Sequence, residues 1–294
     1  MKKHKAGFVN IIGSPNVGKS TLMNQLVGER LSIITSKAQT TRHRIMGIVN
    51  HDDYQIVYSD TPGVLDANYK LQESMMKFVN TALVDADLIL LVTDIFEETI
   101  QHANTLEKIK KKDIPVVVLV NKIDLGKQEQ VEAALLKWKK ELPQAKVAAM
   151  SALHAFNTAE LLDYIVDHLP EAPPYFPKDE LTDRPMRFFM TEIIREKILL
   201  NYSQEVPYSC EVEIEEYKDE GNLVRIRGII YVNRESQKGI LIGHQGKALK
   251  KIGTESRKDM EAFIGKKVFL QLYVKVDKNW RDNENKLKKY GYLN

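Results

Sequence analysis

One run constrains this chain more than any other. Gly13-Ser14-Pro15-Asn16-Val17-Gly18-Lys19-Ser20, continuing into Thr21, fits the pattern G-x-x-x-x-G-K-[ST]. It lies directly after a strand-like segment, 8–12, and opens a helix-like one, 19–27, which is the context the pattern requires. Glycine lets the backbone curl until successive N–H groups point inward, and the following helix adds the positive end of its dipole. Lys19 brings a charge against the β and γ phosphates of a nucleotide, and the Ser20 hydroxyl can ligate magnesium. A plain glycine turn explains neither residue.

Three further motifs fall where such a loop needs partners. Asp60-Thr61-Pro62-Gly63 ends the strand-like segment 55–59, about forty residues after Lys19. There Asp60 can hold the magnesium shell and the Gly63 amide can sense the γ-phosphate. Asn121-Lys122-Ile123-Asp124 follows segment 116–120. A carboxylate at Asp124 can accept from both N1 and N2 of guanine, which adenine cannot match, so the nucleotide is GTP or GDP. Ser151-Ala152-Leu153 follows segment 147–150 and is placed to close over the base through backbone amides.

Taken in order, these residues resemble the phosphate-loop GTPase superfamily. The resemblance implies a switch segment whose threonine closes on magnesium and the γ-phosphate. Gln39-Thr40-Thr41-Arg42 is the candidate, with Thr41 taken first and Thr40 next. Lys19, Thr41 and Gly63 are then the catalytic set, and Ser20, Thr41 and Asp60 the magnesium set. Val64 stands where Ras-like enzymes carry a water-orienting glutamine, so slow intrinsic turnover follows. In related GTPases with an apolar residue there, a loop asparagine helps hold potassium, and Asn16 occupies the matching place.

From residue 7 to about 170, short apolar segments alternate with amphipathic stretches at 71–84, 99–111, 130–141 and 158–168. That alternation predicts an α/β fold with a mostly parallel sheet covered by helices. Ligands of such a sheet bind at the carboxyl ends of its strands, where the motif loops would gather. Pro170, Pro173, Pro174, Pro177 and Pro185 crowd the next stretch and read as an extended linker. The division expected is a GTPase domain over 1–172, the linker over 173–185, and a smaller α+β domain over 186–294. In the latter, a helix-like stretch at 187–200 precedes strand-like segments at 209–215 and 224–232, a basic helix ending near 263, and a last strand over 267–276.

Composition narrows the classes. The 294 residues are 43% hydrophobic and 28% charged, enough apolar material for two cores. No apolar run approaches the roughly 20 residues of a membrane helix. The basic N-terminus leads into too short an apolar stretch for a signal peptide, so a cytoplasmic protein is expected. The single cysteine, Cys210, reads as a buried thiol. The net charge of +3 conceals a partition, because residues 221–294 hold 17 Lys+Arg against 7 Asp+Glu while the rest is acidic overall. A basic end on an acidic body points to a polyanionic partner.

Residues 239–253 carry that charge around a second glycine loop, Gly243-His244-Gln245-Gly246. The segment looks like the heart of a KH domain: an apolar helix, the G-x-x-G loop, then a helix starting with lysine. Two glycines let backbone approach a sugar–phosphate chain, and an adjoining apolar groove takes about four unstacked nucleotides. Ile240, Leu241, Ile242, Leu249 and Ile252 are read as packing residues. The RNA-binding set is Ile242, Gly243, His244, Gln245, Gly246, Lys247, Lys250 and Lys251, with Arg257 and Lys258 nearby. RNA is favoured, though the loop alone does not exclude DNA. The run Lys286, Lys288, Lys289 reads equally as added phosphate attraction or as a solvated tail.

A phosphate-loop GTPase domain, a Pro-rich linker and one C-terminal KH domain (type II) resemble the bacterial Era family across essentially the whole chain. Departures are His244-Gln245 within the loop and Ala155-Phe156 after the base-closing motif. The resemblance implies a GTP-hydrolysing factor that uses GTP, GDP and Mg2+, and a monomer is the default expectation. It further implies binding to 16S ribosomal RNA near its 3′ end during assembly of the small (30S) subunit, with peripheral membrane contact and a link to growth and division. Two alternatives stay open. One is a GTPase of RNA modification or membrane processes with unselective RNA docking; the other is an RNA-binding protein in which GTP is structural.

Overall fold

The structure, a computed structural model, describes residues 4–97 and 103–293. The chain divides into two compact units, one of Met1–Asn68 with Gln72–Asp183 and one of Tyr69–Leu71 with Arg184–Asn294.

In the first unit, β1 (Lys5–Gly13) runs into the glycine loop and α1 (Lys19–Val27). An irregular segment leads to β2 (Ile45–Asn50) and β3 (Tyr54–Asp60), then α2 (Lys70–Val84), β4 (Leu88–Asp94), α3 (Ala103–Lys110) and β5 (Val116–Asn121). It ends with α4 (Gln128–Glu141), β6 (Lys146–Ala149) and α5 (Thr158–His168). The helix read at 99–111 lies partly outside the described residues. The sheet order is β2-β3-β1-β4-β5-β6, with β2 antiparallel to β3 and every other pair parallel. β4 and β5 are buried at every position, as strands covered on both faces must be. Ile12, Val118, Val120 and Trp138 belong to one core layer between the sheet and its helices.

The segment read as a linker is extended, yet it is fastened to the first unit. Gln55 is fully buried, and its Oε1 accepts from the backbone N–H of Tyr175 at 2.7 Å and of Phe176 at 3.0 Å. Its Nε2 donates to the Phe176 carbonyl at 2.8 Å. Farther along, the Ile48 N–H donates to the Leu181 carbonyl and the Thr182 hydroxyl to the Met46 carbonyl. The reason is the open edge of β2, whose backbone groups need partners that a proline-rich strand can supply on one side.

The second unit holds α6 (Met186–Asn201), a short α7 (Val206–Ser209), β7 (Cys210–Asp219), β8 (Leu223–Val232) and α8 (Glu235–Ile242). A single 3-10 turn, His244–Gly246, leads into α9 (Lys247–Ile264), β9 (Lys267–Val276), a second such turn at Trp280–Asp282 and α10 (Glu284–Lys289). β8 pairs antiparallel with β7 and parallel with β9, giving the α-β-β-α-α-β order of a type II KH domain. The solvated-tail reading of 286–289 is corrected. Trp280 and Leu287 are fully buried, Lys289 pairs with Glu213 at 2.9 Å, and Lys286 pairs with Asp277. Two of the three lysines are thus spent on folding the terminus back onto the sheet. Cys210 is buried as read.

Candidate nucleotide site and nucleic-acid loop

The parallel strands β1, β3, β4 and β5 all end at one rim, bringing Gly13, Asp60, Asp94 and Asn121 together. A cleft of about 400 Å3 opens there, lined by Asn16, Gly18, Lys19, Ser20, Thr21 and Gly63 among others, with the irregular segment 33–41 on its far side. Lys19 is buried in the loop it belongs to, its Nζ donating to the carbonyls of Gly13 at 3.0 Å and Ser14 at 2.7 Å. Burial lowers its pKa to about 8, against the opposing pull of Asp60 and Glu97. A phosphate group would restore the solvation that this ammonium lacks.

Ser20, Thr41 and Asp60 converge. The Ser20 hydroxyl donates to Asp60 Oδ2 at 2.7 Å and lies 2.9 Å from the Thr41 hydroxyl, which reaches the same carboxylate at 3.3 Å. Burial pushes the Asp60 carboxyl up, opposed by Ser20 and Lys19. Its other oxygen, Oδ1, is buried with no hydrogen-bond partner among the described residues. Three hard oxygen donors around one unsatisfied carboxylate oxygen fit a magnesium ion. Thr40 instead turns back, donating to the Lys37 carbonyl at 2.6 Å. Gly63 faces the loop so closely that a Cβ there would lie 2.8 Å from Pro15 Cα. Val64 turns the other way, into the core with Ile12 and Val79.

Asn121 joins two loops. Its Nδ2 donates to the Val17 carbonyl at 2.8 Å and its Oδ1 accepts from the Ala152 N–H at 2.9 Å. The Ala152 amide, read as closing over the base, is therefore engaged with Asn121. Asp124 is oriented by the Ser151 hydroxyl, which donates to it at 2.6 Å. Leu153 is exposed beside it. Lys122 adopts a left-handed backbone, lines the cleft and pairs with Asp94 at 2.8 Å.

Sequence reasoning missed three residues of this rim. Asp94 holds Lys122, while Glu97 accepts from the Ser14 hydroxyl and from Thr93 at 2.6 Å. The signal available was position: Thr93 and Asp94 end a strand of the same parallel sheet, and such ends line the site.

In the second unit the glycine loop leaves α8 through Gly243 and enters α9 through Gly246, both at positive φ, 69° and 75°. Leu241 and Ile252 are fully buried as read, whereas Ile240 is half-exposed and contributes no core. His244, Gln245, Lys247, Lys250, Lys251 and Lys258 line the outer side, because Ile252, Ser256 and Met260 turn the opposite stripe of α9 inward. Lys247, Lys250 and Lys258 have no ion-pair partner among the described residues, and Arg257 pairs with Glu261. This leaves a row of free cations next to an open backbone turn.

Residues 8–122 match the family model described as 50S ribosome-binding GTPase, and 205–281 match that of the KH domain. The chain is 44% identical over 290 residues to GTPase Era of Clostridium kluyveri, covering 98% of this chain and 99% of that one. It is 40% identical to GTPase Era of Staphylococcus haemolyticus, covering 100% and 99%. The structure superposes with a TM-score of 0.94 at 38% identity on an Era crystallised with MgGDPNP and nucleotides 1506–1542 of 16S ribosomal RNA, covering 99% of this chain and 100% of that one. Against a single-substitution variant of Aquifex aeolicus Era bound to GDP·AlF4−, the TM-score is 0.92 at 38% identity, with the same coverage of both chains.

Fold and site together define a phosphate-loop GTPase joined to a KH domain. The chain belongs to the GTPase Era family.

Proposed function

We propose that this GTPase binds single-stranded RNA at the 3′ end of 16S ribosomal RNA during small-subunit assembly, gripping or releasing it according to the bound nucleotide. One observation carries the reading: a GTP site whose switch residues Thr41 and Gly63 face the loop holding Lys19, in the same chain as a KH loop flanked by free lysines. A relative was crystallised with both ligands at once.

In this reading Gly13, Ser14, Asn16, Val17, Gly18, Lys19, Ser20 and Thr21 cradle the phosphates, and Asn121, Lys122, Asp124 and the 151–153 loop take the guanine. When GTP enters, Lys19 exchanges the Gly13 and Ser14 carbonyls for phosphate oxygens. Ser20, Thr41 and Asp60 hold Mg2+, which neutralises charge on the β and γ phosphates. Thr41 and Gly63 sense the γ-phosphate, and its loss on hydrolysis frees both segments. With Val64 in the core, no side chain at that position orients the attacking water, so turnover is slow and awaits an activator. Asn16, exposed at the mouth of the cleft, would supply an oxygen to a potassium ion, whose charge would serve in place of an arginine finger. RNA lies on 242–247, with Lys250 and Lys251 attracting its phosphates.

We extend the proposal to a monomer acting in the cytoplasm with peripheral contact at the cell membrane. No helix among the described residues is long and apolar enough to cross one.

The test loads the full-length protein with GDP or a non-hydrolysable GTP analogue and titrates labelled RNA from the 16S 3′ end and a scrambled control. Tighter, selective binding in the GTP form is the expected result. Equal, unselective binding in both forms would overturn the reading in favour of a GTPase with a docking patch.

A further inference from the structure

We propose that the back of the second unit's sheet, the face turned away from α8 and α9, is a second contact surface for single-stranded RNA, running along β9. The proposal rests on the RNA-binding reading above and adds a surface to it. β9 alternates strictly: Val268 and Val274 are buried on the helix side, where Leu272 packs near Gly253 and Gly228. Phe269 and Tyr273 point the other way and are 45% and 48% exposed. Four residues apart on a strand, they stand about 13 Å apart, room for two separate bases.

The neighbours suit a nucleic acid. Register sets Arg225 beside Phe269 and Arg227 beside Gln271. The Arg225 guanidinium, paired with Glu220 at 2.9 Å, lies over the Phe269 ring at 5.4 Å from its centroid, so a base can stack on this held plane and on the Tyr273 ring beyond it. Lys267 and Lys275 are exposed at the two ends of the strip, with no ion-pair partner among the described residues. Carboxylates gather on β7 instead, where Glu215 and Glu216 bridge to Arg227 and Glu213 to Lys289. Charge therefore runs from negative on β7 to positive on β9, so a polyanion follows β9. The other side of this face is taken, because Tyr231 packs on Tyr290 and the Tyr292 hydroxyl donates to Glu211. β9 is also the sheet's edge strand, over which a strand leaving the glycine loop can pass to the back. Two aromatic rings separated by Gln271, with the paired arginines Arg225 and Arg227 beside them and Lys267 and Lys275 at the ends, offer no continuous apolar patch for a protein partner.

The test uses the full-length protein with two unstructured RNAs, one of about six nucleotides that fills the groove of about four, and one of about thirty. Phe269→Ala/Tyr273→Ala is expected to lose roughly tenfold or more in affinity for the long RNA, with the short RNA unaffected. Phe269→Tyr/Tyr273→Phe restores it, and Lys267→Gln/Lys275→Gln lowers the salt slope. Unchanged affinity of the double alanine variant for the long RNA overturns the proposal. If Gly246→Asp still weakens both RNAs, the groove reading survives that failure; if it does not, both fall. Photocrosslinking of thiouridine-labelled long RNA to the wild-type protein is independent of variant folding. Crosslinks within 267–275 are expected, and their absence overturns the proposal and leaves the strip to a protein partner.

Discussion

The Ser20 hydroxyl donates to Oδ2 of Asp60 at 2.7 Å, so the first turn of α1 and the last residue of β3 meet at one carboxylate. Thr41 touches the same oxygen, which leaves Oδ1 buried and unsatisfied. A buried carboxylate oxygen without a partner has lost its hydration, and a bound cation would offset that cost. Asp60→Asn is expected to reduce GTP hydrolysis by roughly 100-fold or more and to raise the Mg2+ concentration needed for nucleotide binding. Mg2+ titrations of hydrolysis and of fluorescent GDP binding check it; an unchanged Mg2+ requirement would remove Asp60 from the metal set.

Lys19 makes nucleotide affinity depend on pH. Its folded pKa, lowered to about 8, lies below the ordinary 10.5, so the folded nucleotide-free protein releases this proton before the unfolded chain does. Its burial penalty is therefore full below about pH 8 and fades as pH rises towards 10.5. Phosphate binding requires the charged form, so GTP affinity should hold near pH 7 and fall between pH 8 and 9, with proton uptake on binding. Calorimetry in buffers of different ionisation enthalpy measures that uptake. Lys19→Met should abolish it without lowering the nucleotide-free melting temperature at pH 7.

Asn121 ties the phosphate loop to the base loop through Val17 and Ala152. Truncation to alanine leaves a buried carbonyl and a buried N–H unpaired, at about 1–3 kcal/mol each. Thermal unfolding of the nucleotide-free protein should register that loss, and GDP affinity should drop with it. A variant of wild-type stability would contradict the bridge.

The two glycines of the second loop should separate folding from binding. A Cβ at Gly243, φ 69°, would lie 2.6 Å from Ala248 Cβ, whereas at Gly246 nothing stands within 4 Å. Gly243→Ala should therefore destabilise the second unit by about 1–3 kcal/mol. Gly246→Asp should keep the fold, since aspartate tolerates this backbone region, and weaken RNA binding through its charge. Circular dichroism melts paired with RNA titrations distinguish the two.

Gln55 should prove necessary for the course of the chain after the first unit. Gln55→Leu removes three hydrogen bonds to the backbone of 175–176. Limited proteolysis should then cut within 173–183 well before it cuts the wild-type protein, with GTP binding retained.

Much of this was legible in the residues alone. The glycine loop, Asp60, the Asn121–Asp124 run and the second glycine loop announced themselves because each is a contiguous pattern whose chemistry is fixed by local backbone and spacing. Strand and helix positions followed from apolar periodicity, and the residues on either side of the loop at 243–246 followed the same rule. Ile240 did not, because its side of α8 stays half-exposed within the second unit, and no periodicity states what a helix face will meet.

Contacts between segments distant in sequence were decided by tertiary structure. Glu97 reaches Ser14, Gln55 holds the proline segment, Asn121 engages the Ala152 amide, and the terminal lysines pair with Glu213 and Asp277. A sequence determines which chemistry each short segment can perform, since that depends on bonds within a few residues. Which carboxylate loses its water, which amide stays free for a ligand and which cation stays unpaired depend on sheet order and packing. Those are settled only when strands far apart in the chain come to lie side by side.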